Sequence, residues 1–120
     1  RYTDFCAVGA AQLIADNACA HQFMLGPASA ADWRALDLAG HRVHAIVNGT
    51  ARHDGIGANA LGSPVLALTW IANELSSIGV TLRGGEVVTT GTCVTPVPVM
   101  PGDSVVADYG LLGMLAIRFT

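Results

Sequence analysis

At 120 residues the chain is long enough for one domain with a sizeable core. Apolar residues make up 52% and charged ones 12%; an ordinary soluble domain carries about 25% charged residues, so the chain is expected to bury surface against a partner or to be cut from something larger. The net charge of −3, with no run of like charges, excludes the basic footprint of a nucleic-acid or anionic-membrane binder.

Near the front, Tyr2 to Val8 reads as a strand end, and Gln12 to Met24 is open between helix and irregular structure. His41 to Val47 alternates, with Val43, Ala45 and Val47 on one face, and Asn48-Gly49 is a strong two-residue hairpin signal. The return strand is expected over about Thr50 to Asp54. A helix follows over 63–78: Ser63 is a good N-cap, Pro64 sits at the first helical position, and Gly79 follows the last periodic residue. Pro64, Leu68, Ile71, Leu75 and Ile78 form one apolar stripe, with Trp70, Asn73, Glu74 and Ser77 off it, so the helix is expected to pack on something flat. Glu86 to Thr90, Ser104 to Tyr109 and Met114 to Phe119 read as strands, separated by Pro- and Gly-rich turns. Mostly antiparallel strands with one main helix make this an α+β chain in a single domain spanning 1–120, not a wound parallel sheet.

Several residue types limit the chemistry. All six cations are arginine, so neither a Schiff base nor a lysine general base is available within the chain. Cys6, Cys19 and Cys93 are odd in number and widely spaced, which argues against a disulfide framework or zinc ribbon and fits a reducing, cytoplasmic setting. The apolar stretch from Pro64 to Ile78 is too short, and too polar at Thr69, Asn73 and Glu74, to span a bilayer. No signal-peptide pattern opens the sequence.

Gly55-Ile56-Gly57-Ala58-Asn59-Ala60 matches a loose dinucleotide fingerprint. The strand before it is a hairpin return, however, and no acidic residue ends a following parallel strand. A glycine-rich connection that lets backbone pass close to a neighbour is the better reading. His41 and His44, three apart on a strand, face opposite sides and do not make a metal pair; His53 lies across the hairpin, within possible reach of either. The carboxylates are scattered, and Asp103 after Pro101-Gly102 is expected to close a turn through its own side chain. Asp16-Asn17-Ala18-Cys19 is a polar pair followed by small residues in apolar sequence. Such a pair fixes a backbone turn or faces a polar cavity. Thr90-Gly91-Thr92 closes an expected strand, where hydroxyls and free N–H groups can cradle a carboxylate.

Several segments taken in order resemble the fumarylacetoacetate hydrolase family, in its 2-oxo-4-pentenoate hydratase and 4-oxalocrotonate decarboxylase branch. Ile14 to Ala18 with Phe23 to Gly26 resembles "ADNAS…F-x-x-G". Asn48-Gly49 with Gly55 to Pro64 resembles "NGE…GxGAAxLGHP", and Trp70 to Leu75 is similar to "WLANxL". Gly79 to Thr92 resembles "G-x-x-L-x-x-G-[DE]-x-x-x-[TS]-G". Val97 to Phe119 resembles "AVPVxPGDxxxADxGxLGxVxxRF". The likeness covers nearly the whole chain, and it is the ordered set rather than any one motif that is specific.

The resemblance implies a β-rich α+β fold forming the C-terminal portion of a catalytic domain, assembly into a homo-oligomer, and a divalent cation, Mg²⁺ or Mn²⁺. It implies lyase chemistry on small 2-oxo or 2-hydroxydienoate acids from aromatic-ring breakdown, in which the cation grips the 2-oxo acid while water adds or CO₂ leaves. The family's metal-binding carboxylates and lysine lie in the part that precedes Arg1. The missing half of the domain, or another subunit, is therefore expected to bring them, and these 120 residues alone are expected to be inactive. No catalytic residue and no metal ligand is assigned within the chain. Its expected contribution is substrate-binding walls: Asp16, Asn17 and Cys19 on one side, Thr90, Gly91 and Thr92 on the other. Cys19 stands where the family often has serine, and a thiol is a weaker hydrogen-bonding partner. Hydration of 2-hydroxypenta-2,4-dienoate-type acids is the leading activity. Decarboxylation of a 4-oxalocrotonate-type acid, acylpyruvate hydrolysis, or a non-catalytic module retaining the fold are the alternatives.

Overall fold

The computed structural model describes residues 7–120, apart from the Cys19 side chain. The expected strand end at Tyr2 to Val8 therefore lies, up to residue 6, outside the described residues; Ala7 and Val8 belong to no strand. The ambiguous stretch from Gln12 to Met24 divides in two. A short helix α1, Ala10–Ala15, is followed by a 3₁₀ turn over Asn17–Cys19 and then irregular chain. Helix α1 stops because Asn17 (φ 49°) and Ala18 (φ 52°) take the left-handed conformation, which no right-handed helix accommodates.

The body of the structure is one antiparallel sheet. Strands β1 (Arg42–Val47) and β2 (Ala51–Ile56) form the hairpin, and β3 (Ser104–Asp108) and β4 (Met114–Arg118) complete the order β2-β1-β3-β4. The hairpin turn carries Asn48 and Gly49 at φ 51° and 71°, the left-handed pair that a twisted two-residue turn requires. The return strand runs two residues further than expected, to Ile56, because Val43 and Arg42 pair with Gly55 and Ile56. Asn48 also reaches across the sheet. Its Nδ2 donates to Asp103 Oδ1 at 2.8 Å while its Oδ1 accepts from the Ser104 N–H at 2.9 Å. Asp103 closes its own turn as expected, with Oδ2 accepting from the Met100 N–H at 2.7 Å. The Asn48 amide and the Met100 N–H hold its carboxyl below the usual carboxylate range.

Helix α2, Pro64–Ser77, starts where expected, with Ser63 Oγ accepting from the Val65 N–H at 3.2 Å and Pro64 at the first position. It ends at Gly79 (φ 77°), where the Val80 N–H bonds back to the Leu75 carbonyl at 2.9 Å. Its covered side differs from the expected stripe. Ala67 is the most buried residue, Pro64, Ile71 and Leu75 are half-buried, and Leu68 and Ile78 are exposed. The difference has a physical cause: this side faces the extended chain at Val88 to Thr90, across a small gap that Trp70 and Ile71 also line, rather than a flat sheet.

That extended chain corrects a second expectation, because Glu86 to Thr90 forms no strand. The β-branched run of two valines and two threonines favours extended backbone, but a strand also needs a neighbouring ladder. None of the N–H groups from Val87 to Val94 donates a hydrogen bond among the described residues. The segment instead crosses the sheet face that carries Val43, Ala45 and Ala107.

The core is thin. Val43, Val47, Ala60 and Ala67 are the buried hydrophobic residues among those described, while Phe23, Leu25, Trp70 and Leu111 stay well exposed.

A candidate carboxylate-binding site

The hairpin and the glycine-rich connection after it set the position of the chain around Thr90-Gly91-Thr92. A Cβ on Gly55 would overlap the Cys93 carbonyl, and one on Gly57 would overlap the Leu38 carbonyl, so glycine is required at both points. Asn59 completes the seating by donating from Nδ2 to the Cys93 carbonyl at 2.7 Å. Gly91 has φ 133°, and a Cβ there would lie 3.3 Å from Ala60 Cβ. The close-approach reading of Gly55 to Ala60 thus accounts for the segment. The next-nearest pattern, a nucleotide fingerprint, lacks its parallel strand, since β2 pairs antiparallel with β1.

The seated segment forms one wall of a cavity of about 480 Å³. Thr89, Thr90, Gly91 and Thr92 supply hydroxyls and unengaged backbone N–H groups, the donor set that a carboxylate needs. Val43, Ala45 and Ala107 form the floor, and Phe23 and Leu25 close another side. Cys93 is half-buried at the edge, and burial pushes its thiol up from the ordinary value, so it stays protonated.

The other predicted wall divides. Asn17 lines a neighbouring cavity of about 400 Å³, which shares Phe23, Val87 and Thr89 with the first. Asp16 is half-buried at the end of α1 and lines neither cavity. Cys19 ends the 3₁₀ turn, and its side chain lies outside the described residues. Thr90, Gly91 and Thr92 are thus together in one cavity, and Asn17 stands in the adjoining one. Sequence reasoning missed the apolar floor and the Asn59 bond. The alternation of β1 marked Val43 and Ala45 as one face, but nothing local marked that face as part of a site or brought Ala107 of β3 to it.

The histidines take separate partners. His41 Nε2 lies 2.7 Å from the Tyr109 carbonyl, and His44 Nδ1 lies 2.7 Å from Asp54 Oδ1. His53 pairs with Ala45 across the hairpin, so it shares a face with neither Asp54 nor the His44 ring. Asp54 also accepts from Arg52 Nε at 2.7 Å, and Arg52 first, then His44, lowers its carboxyl below the usual range. No group of three or more His, Cys, Asp or Glu side chains that could hold a metal ion occurs among the described residues. The donor set of the described residues does not fit a divalent cation, which wants converging carboxylates.

The family model for the fumarylacetoacetate (FAA) hydrolase C-terminal region matches residues 3–120. The chain belongs to the fumarylacetoacetate hydrolase family. It is 33% identical over 107 residues to the 2-hydroxyhexa-2,4-dienoate hydratase of Comamonas testosteroni, covering 89% of this chain and 40% of that protein. It is 36% identical over 106 residues to a 2-keto-4-pentenoate hydratase of Paraburkholderia xenovorans (strain LB400), covering 88% of this chain and 39% of that one. Among solved structures, 4-oxalocrotonate decarboxylase from Pseudomonas putida G7, complexed with magnesium and adipate, superposes with a TM-score of 0.84. It is 32% identical, and the match covers 99% of this chain and 44% of that one. The chain therefore spans about two fifths of the length of the curated relatives it matches. The α+β fumarylacetoacetate-hydrolase-like fold follows from the four-stranded antiparallel sheet with one main helix and from this superposition. No helix among the described residues is long and apolar enough to cross a membrane.

Proposed function

We propose that this chain is the C-terminal part of the catalytic domain of a lyase that hydrates small 2-hydroxydienoate acids of the 2-hydroxypenta-2,4-dienoate type, in the cytoplasmic breakdown of aromatic compounds. The observation that carries the reading is the row of unengaged N–H groups and threonine hydroxyls at Thr89 to Thr92, set in an apolar cavity of a chain whose relatives include a 2-hydroxyhexa-2,4-dienoate hydratase and a 2-keto-4-pentenoate hydratase. In this reading Thr90 and Thr92, with the Gly91 backbone, hold the substrate carboxylate. The sheet floor at Val43, Ala45 and Ala107 excludes water from the carbon skeleton, which strengthens each hydrogen bond at the carboxylate. Asn17 contributes an amide from the adjoining cavity, and Asp16 and Cys19 shape the turn that presents it.

The described residues do not form a cation site, so the Mg²⁺ or Mn²⁺ of the reaction belongs with ligands, and with the proton-handling groups, elsewhere in the polypeptide or in a neighbouring subunit. A homo-oligomer is consistent with the large exposed side chains Trp70 and Leu111. The same site would also serve decarboxylation of a related 2-oxo acid, a chemistry that the superposed decarboxylase favours as the second reading.

The test is hydration of 2-hydroxypenta-2,4-dienoate with Mg²⁺ or Mn²⁺, by the 120 residues alone and by the natural polypeptide that contains them. Metal-dependent turnover by the longer protein and none by the 120 residues is expected. Full activity from the 120 residues alone, or none from either, contradicts the proposal.

A further inference from the structure

We infer that Asn48-Gly49 is a latent deamidation site, locked in the folded hairpin by a clamp from Asp103 and Ser104, and that its reaction undoes the clamp. Neither residue lines the cavity at Thr90, so this chemistry stands apart from the proposed function.

Asparagine followed by glycine is the pair most open to intramolecular attack, because glycine has no side chain to shield its nitrogen. Asn48 is the one asparagine of the chain so placed; Asn17 and Asn59 precede alanine, and Asn73 precedes glutamate. In the reaction the Gly49 nitrogen attacks Asn48 Cγ. A bond forms between them, the bond from Cγ to the amide nitrogen breaks, and ammonia leaves carrying the Gly49 proton. The resulting five-membered imide takes up a water molecule, which opens it to aspartate or to isoaspartate. Both residues are exposed, and a Cβ on Gly49 would meet nothing within 4 Å. The Gly49 N–H donates no hydrogen bond among the described residues. Nucleophile and water are both at hand.

Two features hold the reaction off. The first is the backbone. Both turn residues have positive φ, and the Thr50 N–H bonds to the Val47 carbonyl at 3.1 Å, which makes a type I′ turn. In such a turn ψ of the first central residue is about +30°, so Asn48 Cβ lies nearly opposite the Gly49 nitrogen across the Cα–C bond. The nitrogen does not reach Cγ from there. The second is the side chain. Asn48 Nδ2 donates to Asp103 Oδ1 at 2.8 Å, and its Oδ1 accepts from the Ser104 N–H at 2.9 Å and from Ser104 Oγ at 3.4 Å. Ring closure must break these bonds and turn the peptide, so it waits on local opening of the hairpin tip. The product does not rebuild the clamp. A carboxylate in place of the amide has no proton to give Asp103, and two like charges at that distance repel. Isoaspartate also lengthens the main chain by a carbon at the turn that fixes the β1–β2 register.

Peptide mass spectrometry on the natural polypeptide tests this, with aspartate and isoaspartate peptides separated after incubation in mildly alkaline buffer. Deamidation at Asn48 is expected to be roughly 10-fold or more slower in the folded protein than in urea. Asp103→Ala, which removes the acceptor of the amide, is expected to speed it roughly 5-fold in the folded protein and to leave the rate in urea unchanged. Asn48→Asp supplies the product directly. Aspartate accepts the same left-handed backbone, so this variant reads the carboxylate pair rather than strain. Its melting temperature is expected to lie below the parent's at neutral pH, with the gap narrowing as pH falls towards about 4 and one carboxyl takes a proton. Equal rates in the folded protein and in urea, or no acceleration in folded Asp103→Ala, overturn the lock. An Asn48→Asp protein as stable as the parent at neutral pH overturns the loss of the clamp. Should Asp103→Ala fail to fold, the urea comparison and Asn48→Asp decide between them.

Discussion

At the scale of single residues, the turn after α1 stores backbone strain. Asparagine is among the few residues other than glycine that visit the left-handed region readily, but Ala18 at φ 52° gains nothing to offset the clash of its Cβ. Replacing Ala18 with glycine is expected to raise stability by about 0.5–1 kcal/mol, measured by thermal or urea unfolding. A decrease would show that the methyl group makes contacts worth more than the strain. The acidic residues give a second expectation. Asp54 and Asp103 both have carboxyls lowered from the usual 3.8, the first chiefly by Arg52 and the second chiefly by Asn48. A carboxyl lowered in the folded state contributes stability that is fully present above its unfolded value and is lost as pH falls through the folded one. The melting temperature is therefore expected to fall as pH drops below about 4. Asp54→Asn should flatten that acid limb, with little change to its shape from His44→Gln because His44 is the smaller of the two partners. An acid limb identical in Asp54→Asn would remove Asp54 from this account.

At the scale of elements, the decisive contact is between the connection Gly55 to Ala60 and the chain at Gly91 to Cys93. Two glycines allow the approach, and one amide fastens it. Asn59→Ala is expected to raise KM by roughly 5- to 10-fold with kcat nearly unchanged, since one lost hydrogen bond of about 1 kcal/mol loosens binding of the carboxylate. A fall in kcat at constant KM would instead put Asn59 in the chemistry. Legibility from sequence followed how local each signal is. The hairpin at Asn48-Gly49 and the helix from Ser63 could be read because their turn and cap residues act on the nearest few positions. Glu86 to Thr90 could not, because whether extended chain becomes a strand depends on a partner that no local pattern names. The helix stripe shifted to Ala67 for the same reason: its neighbour is that unpaired segment. In the candidate site, Thr90, Gly91 and Thr92 line one cavity because they are consecutive in the chain, whereas the floor at Ala45 and Ala107 comes from register between strands far apart in sequence.

At the scale of the whole molecule, composition and structure point the same way. A chain with 12% charged residues exposes Phe23, Leu25, Trp70, Leu111 and Met114, and no large side chain is fully buried among the described residues. Exposed apolar area of this kind marks surfaces that another body covers. The same division runs through the chemistry: among the described residues there are donors that suit a carboxylate, and no donor set for a divalent cation. Binding and electrophilic activation are thus expected to come from different stretches of the polypeptide, brought together by folding or assembly. The most direct measurement is a crystal structure of the natural polypeptide with 2-oxopentanoate and Mg²⁺. The carboxylate should lie within hydrogen-bonding distance of the Thr90 to Thr92 N–H and hydroxyl groups, with its alkyl tail over Ala45 and Ala107. A ligand whose carboxylate sits elsewhere, leaving those donors to water, would contradict the account.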